Sequence, residues 1–197
     1  ARASTFPLSG AGEFKFEIEG RTVAAETNRP RVTVIDAGPG YFETLGVGLQ
    51  RGRAFTDADG APGGEVVVLN QRFASQFLPN EDPLGKRIRV MQGPKEDEPG
   101  PWLTVVGVSP TIRQGDLQAL EPAAVIYRPT RMSTSTVASM LLRTTADPAS
   151  MIGAVREAAR ALDISRGTLY RKIVEYSLEP ESRSSTNGRR SARDAEA

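Results

Sequence analysis

The stretch that most constrains the fold of this chain begins at Glu65. Three successive valines follow within an unbroken apolar run, which predicts a strand buried on both faces in the middle of a sheet. Asn70 comes directly after the run and is a good N-cap for a helix. That helix places Phe73, Phe77 and Leu78 on one face, and a proline ends it. A buried strand followed at once by an amphipathic helix indicates a domain of mixed α+β class.

Residue periodicity and turn signals predict six further strands and two further helices. The strands are expected at 14–18, 31–35, 87–90, 102–108, 123–127 and 139–143. One helix is a short segment at 41–45 that should pack Phe42 and Leu45 inward. The other opens at Asp147 with a proline at its first position and has an apolar stripe as far as Leu162. Because several strands follow one another without a helical crossover, we expect a mixed, mostly antiparallel sheet with two or three packed helices.

The two ends of the chain give different signals. No apolar residue occurs between Ser182 and Arg190, so residues 180–197 are expected to form a disordered tail. The first residues contain neither an initiator methionine nor an apolar signal region, which indicates a fragment or a processed product. A run of 18 uncharged apolar residues is also missing, so the sequence predicts no transmembrane segment within this chain.

Composition excludes many kinds of chemistry. The 197 residues include neither cysteine nor histidine. This excludes disulfides, Cys/His zinc sites, and nucleophilic catalysis that uses a histidine base. The 25 basic and 24 acidic residues give a net charge of +1, so the chain as a whole has no basic footprint for nucleic acid.

Four short motifs resemble functional sites and are better explained as loops. The glycine pair around Pro39 is not followed by the third glycine of a dinucleotide-binding loop, and Gly85-Lys86 lacks the next hydroxyl residue of a phosphate-binding loop. The acidic turn 57–60 lacks the later ligands of a calcium loop. The acidic run 96–98 is consecutive, so its side chains diverge in a solvated loop. We therefore predict no catalytic, cofactor-binding or metal-binding residues and no enzyme activity.

Several blocks resemble, in the expected order, the MacB-like periplasmic core domain of ABC-type permeases, and especially the large orphan permease group of soil bacteria. The first block runs from Gly40 to Phe55 and is similar to the family pattern GYFxTLGxxLxxGRxF. The blocks 66–77, 82–88 and 104–108 follow, and weaker similarity extends the resemblance over residues 5 to 163. The opening strand and helix of the family's domain are missing, so residues 1–163 are interpreted as an N-terminally truncated core domain.

The resemblance implies a non-catalytic extracytoplasmic domain that couples the membrane part of a transporter to partner proteins or substrate. It implies a location at the periplasmic face of the inner membrane. The expected partners are the permease transmembrane helices and other proteins of the transporter complex. A cytoplasmic ATPase subunit would be reached only through the full-length permease.

The segment 157–173 also resembles a Fis-type helix-turn-helix. A first helix would end at Leu162, and Ser165 would cap a recognition helix. From Arg156 to Lys172 there are five basic and two acidic residues, a local charge of +3. Under this alternative the protein is a cytoplasmic DNA-binding regulator that uses a helix-turn-helix at 154–176. Its candidate DNA contacts are Ser165, Arg166, Thr168, Arg171 and Lys172.

Residues 164–179 therefore have two interpretations from sequence, either a continuation of the MacB-like domain or the second helix of a helix-turn-helix. Asp163 stands where the Fis-type turn usually has glycine, and strand-like residues replace the upstream helix of such a domain. Gly167 weakens a short recognition helix by about 1 kcal/mol. A fusion at the Ala-Arg-Ala-Leu-Asp stretch is a third possibility, and an enzyme that acts through Asp or Glu is a remote one.

Overall fold

The computed structural model describes residues 1–5, 11–21, 29–93, 97–114, 121–133 and 139–161. The chain divides into two compact units, residues 1–143 and 144–197. The predictions for 164–179 and for the tail at 180–197 lie outside the described residues. The described part confirms the α+β class with a mostly antiparallel sheet.

The first unit contains a ten-stranded sheet and two of the helices. Its strands are β1 (Arg2–Ala3), β2 (Glu13–Ile18), β3 (Arg31–Ala37), β4 (Arg51–Gly52), β5 (Val66–Asn70), β6 (Arg87–Gln92), β7 (Glu98–Pro99), β8 (Leu103–Ser109), β9 (Val125–Pro129) and β10 (Ser139–Met140). Its helices are α1 (Tyr41–Thr44) and α2 (Gln71–Phe77). A 3₁₀ turn at Thr130–Met132 follows β9.

Six of these strands pair in a closed ring, in the order β3, β2, β6, β8, β5, β9 and back to β3. Four of the six pairings are antiparallel, as the sequence predicts. The pairs β3–β9 and β5–β8 are parallel, with Val34 opposite Ile126 and Val67 opposite Val105. Each parallel pair joins two strands that lie far apart in the chain, and together these two pairs close the ring.

Two apolar cores cover opposite faces of the strands. The first core lies inside the ring, because every one of the six strands contributes to it and α2 adds Phe73. The second core lies on the outer side of β3, β5 and β9, where α1 and the loop residue Phe55 cover it. The valine run supplies both cores, since Val67 belongs to the first and Val66 and Val68 belong to the second. This confirms that β5 is a central strand buried on both faces.

Asn70 connects β5 to α2, as the sequence predicts. Its side-chain Oδ1 accepts hydrogen bonds from the backbone N–H groups of Phe73 and Val125, both at 2.9 Å. Its Nδ2 donates to the carbonyl of Ala123 at 2.8 Å. One fully buried side chain therefore caps the helix and also fixes the start of β9.

Some elements differ from the prediction. The strand expected at 139–143 is only two residues long as β10. The inward packing of Phe42 and Leu45 is confirmed, since both contact the second core, and Tyr41 is buried there in addition. Strands β1, β4 and β7 were not predicted, because two residues give no periodicity to detect. Within the described residues, no helix has the length and apolar character needed to cross a membrane.

The second unit begins with a 3₁₀ turn at Pro148–Met151, which continues into α3 (Ile152–Ala161). The Asp147 side chain accepts a hydrogen bond from the N–H of Ala149 at 3.1 Å. This confirms a helix that opens with Asp147 and Pro148, although its first turn is a 3₁₀ turn.

Candidate functional site

The segment that carries the strongest family resemblance, Gly40 to Phe55, has a structural role. It folds into α1, whose Tyr41 and Phe42 are buried against Tyr127 of β9 with ring centroids 5.8 and 5.0 Å away. Gly40 precedes α1 with a φ of 74°, the left-handed conformation that favours glycine. This segment therefore builds part of the second core.

A buried polar side chain lies between the two tyrosines. Gln114 Nε2 is 3.4 Å from the Tyr41 hydroxyl and 3.2 Å from the Tyr127 hydroxyl. Burial raises the pKa of Tyr127 well above its usual range and also raises the pKa of Tyr41. Both phenols therefore stay neutral at physiological pH and act as hydrogen-bonding groups that hold α1 to β9.

Each of the three buried carboxylates among the described residues is paired with arginine. Asp36 of β3 lies opposite Arg128 of β9, and its Oδ1 is 2.8 Å from Arg128 Nη2. Asp59 accepts from both Nη atoms of Arg53, at 2.7 and 2.9 Å. Glu17, the third of these carboxylates, also binds arginine. Buried carboxylates held in this way stabilise the fold and are poorly suited to proton transfer.

A further charged cluster lies on the outer side of β2 and β6, and we call it the Trp102 face. Its strand residues alternate with residues of the first core, so they point away from it. The face consists of Glu13, Lys15, Glu17, Glu19, Arg29, Arg31, Arg87, Arg89 and Trp102.

Glu17 lies at the centre of the Trp102 face between two arginines. Its Oε1 is 2.6 Å from Arg29 Nε, and its Oε2 is 2.6 Å from Arg89 Nε. Burial opposes ionisation of Glu17, but the hydrogen bonds from Arg29 and Arg89 outweigh it and lower the pKa of this carboxyl. The group is therefore a charged, fixed centre for the face.

The only tryptophan of the chain stacks against Arg89 and its strand neighbour Arg87. The Arg89 guanidinium carbon lies 4.6 Å from the Trp102 ring centroid, and that of Arg87 lies 5.8 Å away. Arg87 also binds Glu19 at 2.9 Å. Cation–π contacts and ion pairs thus hold these side chains in one arrangement at the surface.

The five side chains predicted to contact DNA are Ser165, Arg166, Thr168, Arg171 and Lys172. They lie outside the residues that the structure describes, so their role stays a prediction. Sequence reasoning did not find the Trp102 face. The alternation of charge in β2 and β6 is visible in the sequence, but the pairing of Glu17 with Arg89 depends on a strand register between distant segments.

Comparison with known proteins gives a family for most of the chain. The sequence model of the MacB-like periplasmic core domain matches residues 5–162. The macrolide export ATP-binding/permease protein MacB of Neisseria gonorrhoeae is 30% identical over 106 residues, which are 54% of this chain and 14% of that protein. MacB of Neisseria meningitidis serogroup A gives the same identity and coverage. The chain therefore corresponds to a small part of these relatives.

A solved structure agrees with the family match at the level of the fold. The periplasmic region of MacB from Actinobacillus actinomycetemcomitans superposes with a TM-score of 0.53 at 16% sequence identity. The match covers 82% of this chain and 66% of that structure. With a family match that spans more than half of its residues, this chain belongs to the MacB-like periplasmic core domain family of ABC-type permeases.

Proposed function

We propose that this chain works as a non-catalytic extracytoplasmic domain that couples the membrane part of an ABC permease to partner proteins or substrate. The family match over residues 5–162 carries the proposal. In this proposal, residues 1–163 form the core domain and residues 164–179 continue it. The domain acts at the periplasmic face of the inner membrane, and it reaches the cytoplasmic ATPase only through the full-length permease.

The structure of the charged groups supports a role in contact rather than chemistry. Buried Glu17, Asp36 and Asp59 each bind an arginine, so within the described part of the chain the buried acids serve the fold. Two cores pack on the two faces of one ring of strands, and in this proposal the ring acts as a rigid element. A rigid domain is suited to transmitting movement between a membrane segment and a bound protein.

Co-purification from the native host tests this proposal. The tagged protein is isolated from detergent-solubilised membranes, and the accompanying polypeptides are identified by mass spectrometry. We expect permease transmembrane segments, continuous with these residues or bound to them, together with an ABC-type ATPase. Recovery of the protein from the aqueous fraction without either component would contradict the proposal.

A further inference from the structure

We propose that Met140 is a site of oxidative modification, where a peroxide converts the thioether to a sulfoxide and so turns an apolar surface patch into a polar one. This inference goes beyond the proposed function and does not depend on it. It is argued from the exposure of the methionines, the pairing of β10 with β1 and the chemistry of the thioether.

The methionines differ widely in their exposure to solvent. Methionine provides all the sulfur of this chain, because cysteine is absent, and all four methionines lie among the described residues. Met140 is 51% exposed and Met151 is 37% exposed, whereas Met132 is partly buried against the first core and Met91 is only 1% exposed. A peroxide has to reach the sulfur atom, so Met140 is the most accessible target.

The fold places Met140 beside a second exposed apolar residue. Ala3 of β1 and Leu141 turn inward and belong to the second core. Met140 and Leu142 flank Leu141 in the chain and are exposed instead, Leu142 at 57%. We call these two exposed side chains the Met140 patch.

Arg2 is the cross-strand neighbour of Met140. The N-terminal nitrogen of Ala1 donates to the Leu141 carbonyl, and the N–H of Leu141 donates to the Ala1 carbonyl, both at 2.8 Å. The next pair in such an antiparallel ladder, Arg2 with Met140, is of the non-hydrogen-bonded kind, in which side chains come closest together. A sulfoxide oxygen accepts hydrogen bonds far better than a thioether does, and the Arg2 guanidinium is a donor beside it.

The reaction needs a peroxide as its oxidant. The thioether sulfur of Met140 attacks one oxygen of hydrogen peroxide, the O–O bond breaks, and an S–O bond forms. The second oxygen leaves as hydroxide and takes the proton of the first, so a sulfoxide and one water molecule result. The sulfur loses two electrons and the peroxide gains them.

The change acts at the surface and leaves the interior as it is. A sulfoxide at a buried position such as Met91 would put a polar group into packed apolar surroundings and destabilise the fold. At Met140 the new oxygen faces solvent and Arg2, so it removes apolar character from the Met140 patch without that cost.

Peptide mapping of the native chain tests the site without any substitution. The full chain is treated with hydrogen peroxide, and tandem mass spectrometry follows sulfoxide formation at each methionine over time. We expect Met140 to react first, at least about tenfold faster than Met91, whose sulfur is reached only when the fold opens. The proposal is overturned if any other methionine reacts as fast as Met140.

Two matched substitutions test the change in the surface. Met140→Leu keeps an apolar side chain that cannot form a sulfoxide, and Met151→Leu makes the same replacement at the other exposed methionine. At a peroxide dose that modifies Met140 alone, hydrophobic-interaction chromatography should show earlier elution of the native chain and of Met151→Leu, and unchanged elution of Met140→Leu. An equal shift in Met140→Leu, or no shift in the native chain, would refute the proposal.

Stability and reversal complete the experiment. The urea midpoint of the oxidised chain should match that of the untreated chain, because the polar group is added at the surface. Methionine sulfoxide reductase should return the elution of the oxidised chain to its starting position. A large fall in the urea midpoint would show that Met140 packs in the interior, contrary to the proposal.

Discussion

Gly52 of β4 and Gly107 of β8 lie directly opposite each other where the two strands cross at close range. A Cβ atom on Gly52 would lie 2.1 Å from the Val106 carbonyl oxygen, and one on Gly107 would lie 2.5 Å from that of Arg53. Gly52 also has a φ of 71°, in the left-handed region. Glycine is therefore required on both strands for β4 to reach the sheet.

Alanine at either of these two positions should destabilise the first unit. Because the clash is with backbone atoms, it cannot be relieved by a side-chain rotation, and we expect Gly52→Ala to lower the free energy of unfolding by about 2–4 kcal/mol. Urea denaturation followed by Trp102 fluorescence measures the loss. Gly48→Ala is the matched control, since a Cβ there meets nothing within 4 Å. Equal stabilities of Gly52→Ala and Gly48→Ala would show that β4 does not lie as close to β8 as described.

Removing the Asn70 side chain should cost more than the loss of an ordinary helix cap. Asn70→Ala leaves the N–H groups of Phe73 and Val125 and the carbonyl of Ala123 without their partner. We expect a loss of about 2–4 kcal/mol in urea denaturation, because buried polar groups are left unsatisfied. Gln71→Ala changes the adjacent exposed residue and should have little effect. A loss no larger than that of Gln71→Ala would contradict the three-partner role.

The contributions of Asp36 on β3 and Arg128 on β9 to the free energy of unfolding should be coupled, because the two side chains form an ion pair across these parallel strands. Arg128→Met leaves a buried carboxylate without its cation, and we expect it to destabilise the protein by about 3 kcal/mol. Adding Asp36→Asn to that variant should restore part of the loss, because the unpaired charge is removed. A double-mutant cycle in urea measures the coupling. Strictly additive effects would mean that the pair is not formed.

Asp59 should make stability depend on pH in the acid range. The hydrogen bonds from Arg53 hold the pKa of Asp59 below its ordinary value of 3.8 although burial opposes ionisation. Because the folded-state pKa is the lower one, the stabilisation is present above pH 3.8 and is lost as the pH falls through the folded-state value. Asp59→Asn should therefore be less stable than the native protein at pH 7, and the difference should shrink as the pH falls below 3.8.

The control for this prediction is Asp57→Asn, which removes the same charge from an exposed position in the same turn. The urea midpoint of Asp57→Asn at pH 7 should stay close to that of the native protein. If the difference between Asp59→Asn and the native protein is constant across pH, the pair with Arg53 does not form.

Local features of the fold follow directly from the sequence. The valine run, the Asn70 cap and the opening of the helical segment at Asp147 are each set by neighbouring residues, and the structure confirms them. The resemblance of the segment from Gly40 to Phe55 also leads to the correct family. Each of these features can be recognised without knowing which strands pair.

The closed ring and the Trp102 face depend on long-range pairing, which periodicity does not encode. The parallel contact of Val34 with Ile126 joins segments about ninety residues apart, and the antiparallel contact of Glu17 with Arg89 joins segments about seventy apart. A shift of one residue in the pairing of β2 with β6 would turn Arg89 toward the first core. The centre of the face is therefore visible only in the folded chain.

Cysteine accessibility in the native host tests the central claim most directly, because the chain has no cysteine of its own. Ala58→Cys places a thiol at an exposed position, and Val67→Cys places one in the first core as a buried control. Spheroplasts with an intact inner membrane are treated with a membrane-impermeant maleimide. An extracytoplasmic domain predicts full labelling of Ala58→Cys before lysis and labelling of Val67→Cys only after denaturation. Labelling of Ala58→Cys only after the inner membrane is broken would contradict the account.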